Sequence, residues 1–99
     1  MIRHIVVFHL KATEENQIET DFRNIKSKLE ALTVAHEGIK CLDVYRGMGL
    51  VDFHWEVVLV GDYETQAALD AYQVHPLHQE FVKWVADYIS DRVAIDYLV

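Results

Sequence analysis

Two extended segments of this 99-residue chain are apolar on both faces, and that pattern limits its fold more than any other feature. In Ile2 to Leu10, Val6, Phe8 and Leu10 point one way and Ile5 and Val7 the other. In Phe53 to Val60, Val58 and Val60 share one face, with Phe53, Trp55, Val57 and Leu59 opposite. An antiparallel sheet with one wet face should alternate apolar and polar residues. The helical segments of the chain can cover only one face of such a sheet. The simplest cover for the other is a second copy of the chain, packed sheet to sheet.

The remaining elements follow from period and punctuation. Thr13 is placed to cap a helix with Ile18, Phe22, Ile25, Leu29 and Leu32 on its apolar side. Glu15, Glu19, Arg23, Lys26 and Glu30 form its polar side, and Gly38 lies beyond its end. Ile39 to Arg46 forms a second strand, joined to the third through the turn residues Gly47-Met48-Gly49 and Asp52. Asp62 is expected to cap a short helix through Ala67, Ala68, Leu69 and Tyr72. Pro76 cannot continue that helix but suits the first turn of another, from about Leu77 to Ile89. Arg92 to Leu98 closes as the last strand. The order βαββαβ is that of an α+β, ferredoxin-like domain with a four-stranded antiparallel sheet, its second helix split at Pro76. One domain spans residues 1–99, and its expected assembly is a homodimer through the sheet face, a dimeric α+β barrel.

Composition supports this frame. Apolar residues make up 52% of the chain, above the usual range of roughly 45–50%, which hints at apolar surface beyond one core. With 9 basic and 16 acidic residues the formal charge is −7, a poor match to nucleic acid or an anionic membrane. No apolar run approaches the roughly 18 residues of a membrane span. The single cysteine, Cys41, lies in a strand-like stretch and is expected to be a buried, inert thiol in a reducing compartment. The opening MIRHIVVFHL runs straight into strand residues with no cleavage pattern, so a cytoplasmic address is expected.

Several side chains capable of chemistry converge in this scheme. His4 shares a face with Val6, Phe8 and Leu10, and His54 with Glu56, Val58 and Val60. If those faces meet the helices, both histidines look into the space between helix and sheet. Tyr72, His75 and His78 fall three apart around Pro76. Titratable groups converging on an apolar cavity form a candidate ligand site. His78, in the first turn after Pro76, sits where the helix dipole and burial both disfavour a positive charge, as a general base requires. Tyr72 can donate a hydrogen bond to a carbonyl or enolate oxygen, and His4 or His54 can orient His78 or bind a polar substrate group. Structural readings stand beside these. His75 suits a helix cap, His78 a tie between the helix junction and the first strand, and Tyr72 simple packing. His4 and His54 suit satisfied polar positions near strand ends, His9 the partner-facing side, and His36 solvent. A metal at His75 and His78 with His4 or His54 lacks the companions zinc needs, so neither metal nor cofactor is expected.

The opening HIVVFHLK, the stretch DFHWEVVLVGDYETQAALDAYQVHPLHQEFV and the closing strand resemble the stress-responsive dimeric α/β-barrel (Dabb) family over nearly the whole chain. The most specific element is Tyr72-Gln73-Val74-His75-Pro76-Leu77-His78, a tyrosine followed by HPxH. The resemblance implies a two-fold dimer with its sheets back to back. One enzymatic branch, plant polyketide cyclases that close a linear polyketide by cofactor-free aldol chemistry, is similar in the same motif. By that likeness His78 is the base, Tyr72 its partner, and His4 and His54 pocket histidines, while Trp55 and Glu56 depart from the pattern. The wider superfamily also allows a cofactor-independent oxygenase acting on a polyphenol. The expected function is therefore binding of a small organic molecule, or cofactor-free acid–base chemistry on one. The alternative is a non-enzymatic stress-responsive assembly protein.

Overall fold

The computed structural model describes residues 1–51 and 54–99. Four strands and three helices follow the order β1 (Ile2–Leu10), α1 (Glu15–Ala31), β2 (Ile39–Arg46), β3 (Val57–Tyr63), α2 (Gln66–Gln73), α3 (Pro76–Val85) and β4 (Ile89–Leu98), with a 3-10 turn at Leu32–Ala35. The sheet is antiparallel in the order β2-β3-β1-β4, the ferredoxin-like arrangement. Helix α1 buries Phe22, Ile25 and Leu29, the spacing its sequence predicts. Burying each such side chain contributes about 1.5–3 kcal/mol. They meet Val6, Phe8 and Leu10 of β1 and Val57 and Leu59 of β3 in one core between helices and sheet.

The caps differ from expectation. Glu14, not Thr13, begins α1, its carboxylate accepting from the N–H groups of Asn16 and Gln17 at 3.0 and 3.2 Å. Asp62 caps nothing. It lies within β3 and takes a forked pair of bonds from Arg3, at 2.8 and 2.9 Å, while Thr65 caps α2. Arg3 holds the Asp62 carboxyl below the usual carboxylate range. Helix α3 stops at Val85 and Ile89 already belongs to β4, so the last strand begins three residues before Arg92.

The face assignment of β3 is the reverse of the expected one. Phe8 pairs with Val57 and Val6 with Leu59, which sets Val57 and Leu59 against the helices and Val58 and Val60 on the open face. Trp55 and Glu56 precede the strand, and Phe53 and Asp52 lie outside the described residues. The connection from β2 is pinned where the Gly47 N–H donates to the Glu56 carbonyl at 2.8 Å. A side chain at Gly47 would meet the Trp55 carbonyl oxygen at 2.0 Å, so only glycine fits this crossing.

A bulge interrupts the β1–β4 ladder. Leu10 pairs with Ile89 but His9 with Asp91, leaving Ser90 as the extra residue. Beyond it Arg92, Ala94 and Asp96 lie opposite Phe8, Val6 and His4, while Val93, Ile95 and Tyr97 lie opposite Val7, Ile5 and Arg3. The second set continues the apolar row of the open face, where Val93 and Ile95 are 56% and 62% exposed.

Candidate functional site

A cavity of about 450 Å³ opens between α2, α3 and the helix-facing side of β1 and β4. That volume falls within the range of small-molecule sites. Its walls are mostly apolar, from Val6, Phe8, Leu59, Phe81, Val82 and Val85. Its polar groups are His4, Tyr72, Gln73, His78, Gln79 and Arg92.

The break at Pro76 shapes one side of the cavity. Helix α2 ends at Gln73 and His75 caps α3, its Nδ1 accepting from the Leu77 N–H at 3.1 Å. The turn leaves the Gln73 carbonyl outside the helical ladder. His78 Nδ1 lies 3.0 Å from that oxygen, and Gln79 Nε2 donates to it at 2.6 Å. A carbonyl only accepts, so this contact places the proton on Nδ1 and leaves the lone pair of the neutral imidazole on Nε2. Burial pushes the His78 pKa below its ordinary value, against the Gln73 bond, and the nearby His4 and Arg92 add to the lowering.

Tyr72 packs against His78 with ring centroids 4.5 Å apart and against Tyr63 at 5.4 Å. Tyr72 is 1% exposed, and neither tyrosine hydroxyl has a hydrogen-bond partner among the described residues. A buried polar atom left in that condition costs about 1–3 kcal/mol, so two such hydroxyls on neighbouring rings call for an explanation. Burial pushes the Tyr72 hydroxyl up to about 12, against a lowering by the neighbouring Tyr63 hydroxyl, and it stays protonated at neutral pH.

His4 forms the third polar corner. Its Nδ1 hydrogen-bonds Oδ1 of Asp96, its neighbour across the β1–β4 ladder. A carboxylate likewise fixes the proton on Nδ1 and leaves Nε2 as the second ring nitrogen. His4 also meets the edge of Tyr63, with centroids 6.2 Å apart. Its partner on β3 is Gly61, where a side chain would press on Leu42 and Tyr63 at 2.8 and 3.0 Å.

The cavity thus brings together His4, Tyr72 and His78. It does not include His54 or His75. His54 lies exposed in the β2–β3 connection, its backbone N–H donating to Val51 at 2.9 Å, and His75 serves as the cap. His9 lies on the other side of the sheet, between the Glu56 carboxylate at 3.1 Å and the Trp55 ring stacked at 5.4 Å. His36 accepts the Gly38 N–H at 2.9 Å, and Cys41 is half-buried with its thiol pKa raised by burial. Among the described residues, no three metal-ligating side chains cluster. Sequence reasoning missed Arg92 and Asp96. Both sit on the polar face of the segment Arg92-Val93-Ala94-Ile95-Asp96, whose alternation is visible once the strand is read by parity.

Solved structures share this architecture. A Dabb family protein with a ferredoxin-like fold from Mesorhizobium loti is 29% identical, with a TM-score of 0.75 over 99% of this chain and 95% of its own. A dimeric ferredoxin-like protein of unknown function from Thermobifida fusca is 26% identical, with a TM-score of 0.80 over 99% and 90%. A dimeric protein of unknown function and ferredoxin-like fold from Bacteroides fragilis superposes with a TM-score of 0.85 at 23% identity, over 99% and 95%. No curated protein matches the sequence. The family model described as the stress responsive A/B barrel domain matches residues 2–99. The chain belongs to the stress-responsive A/B barrel, or Dabb, family.

Proposed function

We propose that the protein is a homodimer in which each subunit binds a small organic carbonyl compound in the cavity beneath the α2–α3 junction and moves a proton on it. Neither a metal nor an organic cofactor takes part in this reading. The observation that carries it is the packing of the His78 ring, its proton on Nδ1, against the ring of Tyr72 at the cavity. Nε2 of His78 removes a proton from the carbon beside the carbonyl. The electron pair of that C–H bond moves into the enolate, and Tyr72 donates a hydrogen bond to the oxygen where negative charge develops. The product forms when a proton or an electrophilic carbon reaches the enolate carbon. The dimer rests on the open apolar face of the sheet, where Ile95 and Val93 stand exposed, and on the dimeric relatives.

The test is hydrogen exchange into small β-dicarbonyl compounds in heavy water, followed by mass spectrometry. The expected result for His78→Ala is a loss of about 10²-fold or more in catalysed exchange, with the dimer intact by light scattering. Undiminished exchange in that variant would remove His78 from the role of base.

A second reading, a stress-responsive assembly built from dimers, is favoured by Val34, Val74 and Leu77, exposed near helix ends at 88%, 73% and 42%. Light scattering decides it, since particles no larger than a dimer argue against further assembly.

A further inference from the structure

We infer that Arg92 anchors the carboxylate of the cavity's ligand, which makes the preferred substrates small apolar carbonyl acids. The inference rests on the cavity being a ligand site, as proposed above, and adds the chemical class of what enters it.

Arg92 lies opposite Phe8 on the cavity side of β4 and lines the cavity with Phe8 and Val85. It makes no hydrogen bond or ion pair with any described residue. The chain's other arginines are all engaged: Arg3 with Asp62, Arg23 with Glu19, and Arg46 with Glu15 and Glu19. Arg92 is exposed, and it is the one arginine of a chain of formal charge −7 that stands at the cavity without an acidic partner among the described residues. The acid group on the cavity side of β4, Asp96, is taken by His4. Asp91 pairs with His9 and is directed to the other face of the sheet.

The cavity side of β4 has two polar ends with an apolar stretch between them. Arg92 and Asp96 stand four residues apart on one strand, about 13 Å of backbone. Apolar groups fill the interval, from Ala94, Val6 and Phe81. A carboxylate held by the planar fork of Arg92 leaves the body of the molecule on that apolar wall. Its carbonyl then falls toward Tyr72 and His78. Holding the acid end would fix which C–H meets the base, the positioning role that a remote charge serves in catalysis.

Titration calorimetry of the dimer with 4-oxo-4-phenylbutanoate and its neutral amide tests this. The wild type is expected to bind the acid about tenfold more tightly than the amide. Arg92→Leu should erase that preference while changing amide binding by less than about twofold, and Arg92→Lys should restore part of it, since lysine keeps the charge without the fork. His78→Ala should leave the preference intact, because the anchor does not depend on the base. Equal binding of acid and amide by the wild type, a preference that survives in Arg92→Leu, or no binding of the acid at millimolar concentration would each overturn the anchor. Failure of the base shows separately: an Arg92-dependent acid preference together with exchange unaffected by His78→Ala would keep the anchor and discard the proposed chemistry.

Discussion

The rings of Tyr72 and His78 meet at 4.5 Å across a helix break, and the buried Tyr72 hydroxyl makes no hydrogen bond among the described residues. A protein selected for stability alone would gain by removing such an atom. Tyr72→Phe is therefore expected to leave the thermal midpoint unchanged or raise stability by about 1 kcal/mol. The same variant should lose at least tenfold in catalysed exchange on a carbonyl compound. A large drop in stability, measured by urea unfolding, would instead give Tyr72 a structural task.

The lowered pKa of His78 makes two statements about pH. The neutral base persists below the ordinary histidine value of about 6.5, so the acid limb of a kcat/KM profile should lie below that pH. For stability the sign runs the other way. The unfolded chain takes up the proton first, so stability present above about pH 6.5 is lost as pH falls through that value toward the folded pKa. Urea midpoints between pH 8 and pH 5 should show this loss, and His78→Gln should flatten it.

Ile5 sits at the centre of the open face, paired with Val60 on one side and Ile95 on the other. Ile5→Arg would place a charge in the middle of the proposed interface, where desolvation without a partner costs several kcal/mol. The expected outcome is a folded monomer, read by light scattering and circular dichroism. A dimer that persists would move the interface elsewhere.

Glu56 joins two elements. Its Oε1 accepts from the Leu10 N–H at 2.6 Å, and its carboxylate meets His9 Nδ1 at 3.1 Å. Glu56→Ala leaves a backbone donor at the end of β1 unsatisfied and should destabilise the fold by about 1–3 kcal/mol. Thermal unfolding checks the size.

The architecture was legible because the first helix carries a clean period of buried Phe22, Ile25 and Leu29, and because Pro76 marks the break between α2 and α3 by chemistry alone. The facing of β3 was not. Its apolar residues occupy both parities, so neither set announces the core, and only the pairing of Phe8 with Val57 decides. That reversal carries His54 away from the histidine pair it was expected to join. The caps misled for a related reason: Asp62 has the right chemistry for a helix start, but Arg3, 59 residues away in sequence, claims it. Tyr72 and His78 reach one cavity because they flank a local break, which sequence can show. His4 meets Asp96 across 92 residues, a relation that only the ladder creates.

The unpaired residue at Ser90 sets the handedness of everything after it in β4. If Ser90 took an ordinary place in the ladder instead of bulging, strict alternation from Ile89, which packs against the core, would turn Asp91 inward and Arg92 outward. The cavity would exchange its only arginine for an acid, and Val93, Ile95 and Tyr97 would swing from the outer face of the sheet to the inner. Deleting Ser90 would keep the present facings, because Asp91 would follow Ile89 directly and still point outward, so it is flattening the bulge with every residue retained, not losing one, that would turn the strand over.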